Sequence, residues 1–328
     1  MAAEHPHSSA SFKPFTIRLD NDAKTTGLAC VPSTQAHEAG DGPRPLLVGL
    51  HGGTCTAAYF DLSPDYSAAA FAVMTGTPFI SINRPCYAGS TSILPLEQDE
   101  VFFGRTGRWL HEFILPALWS EYGRPNKCDG IVLLSHSMAV PPTIVCAGLH
   151  AQQQSDQALY PLAGIILTGW GSQPGNPPNL SRDANTGLLT PSFGAKVELM
   201  LGDASSTCYD PSVVAILKQQ ESLQNVGMPE QEGTQIEQWI TKAEELCSRV
   251  RVPVLYGMGE NDFLWNASKE DVQSFARLFT TSAKVETKIV LGVPHAIEWS
   301  RSSKAWYWQC FGWASEVSVA LQWRKGAF

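Results

Sequence analysis

Gly130-Ile131-Val132-Leu133-Leu134-Ser135-His136-Ser137-Met138-Ala139 is the stretch whose reading decides the fold. Its first five residues are small or apolar without a break, the mark of a strand buried on both faces. From Val140 the chain continues Pro141-Pro142-Thr143-Ile144-Val145-Cys146-Ala147, the start of a packed helix. Only a sharp turn fits between strand and helix. Ser137 stands at its tip, with the small residues Ser135 and Ala139 two places to either side. This is the layout of a nucleophile elbow, in which one hydroxyl is pushed out of a sheet toward a helix N-terminus. Negative charge developing there is favoured. Glycines usually flank the serine, and here Ser135 and Ala139 replace them.

The chain around this stretch alternates strands with helices. Leu46–Leu50, Phe79–Ile82, Ile131–Leu134 and Gly164–Leu167 are short apolar runs. Helix-compatible segments such as Ala68–Met74 and Trp109–Trp119 separate them. Two further runs follow late, Val252–Tyr256 and Thr287–Leu291. Such a pattern predicts a mostly parallel sheet covered on both faces, an α/β fold. Phe15–Leu19 reads as a half-exposed strand and Leu28–Pro32 as its partner. Residues 1–14 read as a loose terminus and Ser33–Pro45 as a loop. Residues 171–249 break the rhythm with a Pro/Gly/Asn-rich opening at Gln173–Asn179, then helical patterns at Ser212–Gln224 and Thr234–Arg249, and no evident strand. An insertion of that length is too long for a plain loop. It predicts a helical lid over a core made of residues 15–170 and 250–328.

Composition narrows the function classes. Of 328 residues, 44% are hydrophobic and 16% charged, an ordinary globular balance. A net charge of −8 speaks against a nucleic-acid partner, which needs a basic surface. No run approaches the roughly 18 apolar residues of a membrane span. The polar segment Met1–Phe15 lacks the apolar centre of a secretory signal, so a cytoplasmic location is expected. The eight cysteines are dispersed without a CxxC pair and are expected to be reduced and mostly buried. No metal site and no cofactor is implied: His51 and Cys55 are too isolated for zinc.

Three other segments supply partners for a nucleophilic serine. Leu50-His51-Gly52-Gly53-Thr54 follows a strand, and a glycine turn there lets backbone N–H groups face a tetrahedral oxyanion. Gly53 is the first choice as donor and Thr54 the next. Met138, directly after the serine, supplies the second donor. Gly257-Met258-Gly259-Glu260-Asn261-Asp262, just after the strand ending at Tyr256, offers a carboxylate at a strand end, with Asp262 preferred over Glu260 because it lies beyond the glycine turn, where the chain has left the strand. Gly292-Val293-Pro294-His295 places an imidazole after the last strand. Ser137 would attack a carbonyl, His295 would take and return the proton, and Asp262 would orient the imidazole.

At these residues the chain resembles the α/β-hydrolase superfamily, from about residue 15 onward. Asn83-Arg84-Pro85-Cys86-Tyr87-Ala88-Gly89-Ser90 is similar to the Arg-Pro-Gly-x-Gly-x-Ser turn of many members. The resemblance implies an eight-stranded sheet, a lid at 171–249 and a metal-free Ser137–His295–Asp262 site. Its members with Asp at the elbow, epoxide hydrolases and haloalkane dehalogenases, are disfavoured by Ser137. General character is similar to stand-alone hydrolases of fungal natural-product pathways, some of which are thioesterases or lactone-forming release enzymes. That likeness implies a carrier-bound polyketide-like substrate and an acyl carrier protein as partner.

Tyr87, Trp170, Trp265 and Trp299, with Tyr59 and Phe60, predict an apolar substrate pocket around the serine. Arg84 and Arg105 are expected on the surface or facing an anionic group. The leading expectation is an ester or thioester hydrolase acting through an acyl-enzyme. Release by lactonisation is the alternative within that chemistry. A ligand-binding relative without turnover, or a lyase, is the alternative from another class.

Overall fold

The computed structural model describes residues 11–32, 42–153, 158–202 and 207–324. Eight strands form one sheet: β1 (Lys13–Arg18), β2 (Lys24–Cys30), β3 (Pro45–Leu50), β4 (Phe79–Asn83), β5 (Gly130–His136), β6 (Leu162–Thr168), β9 (Val254–Asn261) and β10 (Val285–Pro294). Their order is β1-β2-β4-β3-β5-β6-β9-β10. β1 and β2 are antiparallel to their neighbours and all other pairs are parallel. β5 lies at the centre, so the chain leaves it for the elbow with neighbours on both sides. Alternate side chains of β5 enter opposite cores. Ile131 and Leu133 pack on one face, Val132 and Leu134 on the other.

Helices cover both faces. α1 (Ala69–Thr75) and α11 (Ser303–Arg324) lie on one, while α2 (Phe102–Trp109), α3 (Leu115–Leu118), α4 (Val140–Gln152) and α10 (Lys269–Ala276) lie on the other. α4 is apolar nearly all round, as a helix buried behind a sheet should be, and Pro141 sits in its first turn where no N–H partner is lost. Between β6 and β9 come α5 (Phe193–Leu201), α6 (Ser212–Gln219), α7 (Glu221–Gln224), α8 (Glu230–Thr234) and α9 (Ile236–Cys247). Ser192 starts α5 by accepting from the Ala195 amide at 3.3 Å.

Four expectations change. The loose terminus was expected through residue 14, but β1 begins at Lys13; residues 1–10 lie outside the described residues, as do 33–41 of the predicted loop. The 171–249 insertion does contain strands, the two-residue pair β7 (Ser181–Arg182) and β8 (Leu189–Thr190), too short to leave a period in the sequence. The predicted helix Ser212–Gln224 divides at Gln220. Finally, Gly257–Asn261 is no turn: β9 runs straight through it and β10 continues to Pro294.

That last difference has a steric reason. A Cβ on Gly259 would lie 2.3 Å from the Pro294 carbonyl oxygen and 2.6 Å from that of Val293. The glycine lets two backbones meet where both leave the sheet. Beyond it the register shifts: Val290 pairs with Gly259 but Pro294 with Asn261. This bulge carries His295 toward Asp262. Gly259→Ala should lower stability by about 1–3 kcal/mol in urea denaturation by forcing β9 and β10 apart.

Candidate active site

Every element of the site sits at the C-terminal end of a parallel strand. β5 delivers Ser137, whose φ of 55° lies in the left-handed region. Holding a non-glycine residue there costs about 1–3 kcal/mol and aims the side chain out of the sheet. Ser135, in a glycine's place, is fully buried and its Oγ lies 2.6 Å from Thr143 Oγ1 in α4. The hydroxyl thus finds a partner in the helix it precedes, which is how a polar residue fits this crowded position.

β10 brings in His295 and β9 Asp262. His295 Nε2 lies 3.1 Å from Ser137 Oγ, and His295 Nδ1 lies 2.7 Å from Asp262 Oδ2. Both the imidazole and the carboxylate side chains are closed to solvent. Asp262 Oδ1 accepts from the Leu264 and Trp265 amides at 2.8 and 3.1 Å. With Asp262 accepting the Nδ1 proton, Nε2 is left as a base facing the serine. Glu260, the other acidic candidate, turns away and accepts from the Gly292 amide at the bulge, at 2.6 Å. A second missed contact is Gly169, at φ 60°: a Cβ there would come within 2.8 Å of the His136 and His295 rings.

The glycine turn after β3 packs directly on the elbow. A Cβ on Gly52 would meet Ser137 Cβ at 3.0 Å, and one on Gly53 would meet Met138 Cγ at 3.0 Å. Arg84 fixes this turn, with Nε donating to the His51 carbonyl at 2.7 Å and Nη2 to that of Gly52 at 3.2 Å. Nη1 lies 2.7 Å from Glu232 Oε1 of α8, with neither side chain exposed. Arg84 is therefore neither a surface residue nor an open anion contact. Arg105 pairs with Glu100.

An apolar cavity of about 440 Å³ opens above Ser137. Thr54, Trp170 and Trp265 line it as expected, together with Gly53 and Met138. Leu199, Met200, Met228, Ile236 and Ile240 close it from the 171–249 segment. Tyr87 and Trp299 do not reach it. The Tyr87 hydroxyl donates to Glu232 at 2.6 Å, and Trp299 Nε1 donates to the Tyr59 carbonyl at 3.0 Å. Tyr59 and Phe60 are likewise fully buried away from the cavity. Tyr87, Trp299 and Tyr59 spend their polar ends within the core, and Phe60 packs on Tyr59 and Phe79.

No family model and no curated protein matches the sequence. Solved structures do match its architecture. A monoacylglycerol lipase from Paleococcus ferrophilus is similar over 84% of this chain and 97% of its own, with a TM-score of 0.58 and 14% identity. A serine hydrolase involved in carbazole degradation is similar over 93% of this chain and 99% of its own, with a TM-score of 0.57 and 14% identity. The chain has the α/β-hydrolase fold. An E-2-(acetamidomethylene)succinate hydrolase shares it over 92% of this chain and 98% of its own, at 0.54 and 12%.

Within this α/β-hydrolase fold, two buried histidines surround the serine without joining the relay. His136 stacks on Tyr59, with ring centroids 4.7 Å apart, and lies 4.7 Å from the His295 ring. Burial first, then the neighbouring His295, holds His136 well below the ordinary histidine range. Burial and Arg84 do the same for His51, whose Nε2 accepts from the Arg84 amide at 3.2 Å. Tyr59 also donates to Glu298 at 2.6 Å, and burial raises that carboxyl above its usual range. No local signal announces these contacts, since each joins residues far apart in the chain.

Glu232→Gln strands a buried guanidinium, and urea denaturation should register a loss of about 3–5 kcal/mol. Tyr87→Phe, which removes a donor to a buried carboxylate, should cost about 1.5–3 kcal/mol. Histidines buried neutral take up protons only on unfolding, so their contribution is intact above the ordinary value of 6.5 and is lost as pH falls below it. Each should add up to about 1.4 kcal/mol per pH unit to the slope of stability against pH. His136→Gln should flatten that slope by one histidine's share.

Proposed function

We propose that the protein is a serine hydrolase that cleaves a carboxylic ester through an acyl-enzyme. The observation that carries this is the relay Asp262–His295–Ser137, with links of 2.7 and 3.1 Å, opening on an apolar cavity. Ser137 Oγ attacks the acyl carbon while His295 Nε2 takes its proton. Asp262 keeps the Nδ1 proton in place and stabilises the imidazolium. The Met138 and Gly53 amides, at the start of α4 and in the glycine turn, take the oxyanion. His295 then protonates the leaving group, and water repeats the sequence on the acyl-enzyme.

We read residues 171–249 as a lid, because α5, α8 and α9 roof the cavity. A volume of about 440 Å³ with walls of Trp170, Trp265, Met200, Met228, Ile236 and Ile240 suits a medium-sized acyl or polyketide-like group. The same acyl-enzyme serves an oxygen ester or a carrier-bound thioester. A hydroxyacyl thioester separates the outcomes: free acid marks hydrolysis, and a product lighter by one water marks lactonisation.

A fluorophosphonate should label Ser137 covalently, and absence of the adduct would overturn the assignment. Ser137→Ala and His295→Ala should each lower kcat by about 10⁴–10⁶. Asp262→Asn should cost about 10²–10⁴, far more than Glu260→Gln. The reverse order for the two acids would move the orienting role to Glu260.

A further inference from the structure

Lys196 is a lysine almost closed to water, at 1% exposure, on the inner face of α5. Its Nζ donates to Thr54 Oγ1 at 2.7 Å and to Cys55 Sγ at 3.1 Å. No carboxylate among the described residues pairs with it. The buried acids of the region are engaged elsewhere: Glu232 with Arg84 and Tyr87, Glu298 with Tyr59 and Trp306, Asp262 with His295. A buried charge ordinarily has a partner, because desolvation of a lone ion is costly. Among the described residues a hydroxyl and a thiol are its partners.

The location of this charge gives it a use. Thr54 directly follows Gly53, holds a left-handed φ of 59° and lines the cavity. Its carbonyl accepts from the Val226 amide at 2.9 Å, so the 171–249 segment grips Thr54 through both backbone and side chain. The charge also reaches both sides of the serine. After burial and closer neighbours, Lys196 is among the causes that hold His136 and His51 neutral.

We propose that Lys196 is a positioning residue for acyl transfer: its ammonium fixes the Gly53–Thr54 turn and biases the site toward negative charge on the acyl oxygen. The inference rests on the serine-hydrolase reading. A neutral carbonyl gains little from a nearby cation. The tetrahedral oxyanion gains much, because no carboxylate among the described residues pairs with the cation and little water screens it. Since the cation rides on α5 and not on the sheet, the oxyanion site is complete only when that helix is seated.

The test compares Lys196→Met, Lys196→Arg and Thr54→Val with the unaltered protein on a short p-nitrophenyl ester and a boronic-acid transition-state analogue. Lys196→Met should lower kcat about ten- to a hundredfold with KM changed less than about threefold. Boronate affinity should fall by the same factor as kcat/KM. Lys196→Arg should recover most of the loss, and Thr54→Val, which keeps the lysine but removes its acceptor, should act in the same direction as Lys196→Met. Unchanged kcat in Lys196→Met overturns the proposal, and so does a loss confined to KM. If Lys196→Met fails to fold, Thr54→Val decides alone, and an unchanged kcat there overturns it. Failure of the underlying reading looks different: the unaltered protein would then neither hydrolyse the ester nor take a fluorophosphonate at Ser137.

Discussion

Arg84 is withdrawn from solvent at the end of β4, and three parts of the molecule meet on its guanidinium. The carbonyls of His51 and Gly52 shape the glycine turn around it, and Glu232 brings the 171–249 segment down onto it. The planar fork of an arginine suits this task, since it can serve several acceptors in fixed directions. A lysine could carry the charge but not the geometry. Because both ions are closed to water, partial separation leaves each without compensation. The end of β4, the turn beside Ser137 and the segment roofing the cavity are thereby held as one unit.

Around Ser137 the balance of charge is uneven. His51 and His136 are kept neutral by burial, Arg84 is neutralised by Glu232, and Lys196 has no carboxylate partner among the described residues. Asp262, the carboxylate of the relay, is directed at His295 and away from the serine. Behind His295, the stack of His136 on Tyr59 and the Tyr59–Glu298 hydrogen bond remove freedom from the ring that backs the imidazole. Rigid support of this kind matters because catalytic geometry tolerates little slack.

The fold and the relay were legible because their signals are local. An unbroken apolar run ending in Ser137, and strand ends followed by Asp262 and His295, are written in consecutive residues. The strand-end glycines misled as turn signals, because Gly257 and Gly259 serve close approach inside β9; that constraint is set by Trp306 and by Pro294, each more than 30 positions away. The aromatic pocket was half legible. Trp170 and Trp265 line the cavity, whereas Tyr87 and Trp299 spend their polar atoms on Glu232 and Tyr59. Nothing local distinguishes the two pairs. Lys196 and Glu232 were invisible for the same reason: a charged residue on a helical pattern reads as a solvated face until its partners across the fold are known.

The left-handed conformation of Ser137 has a consequence for what kind of object this protein is. Glycine would adopt that φ without steric cost, and serine does not. The strain sits in the resting molecule, with or without a substrate, and is met by the packing of α4 and the sheet. A chain with glycine at 137 would be the easier one to fold and the harder one to justify. The tension between endurance and reactivity is thus located in a single backbone angle, and the surrounding core must be good enough to hold that angle against its own preference.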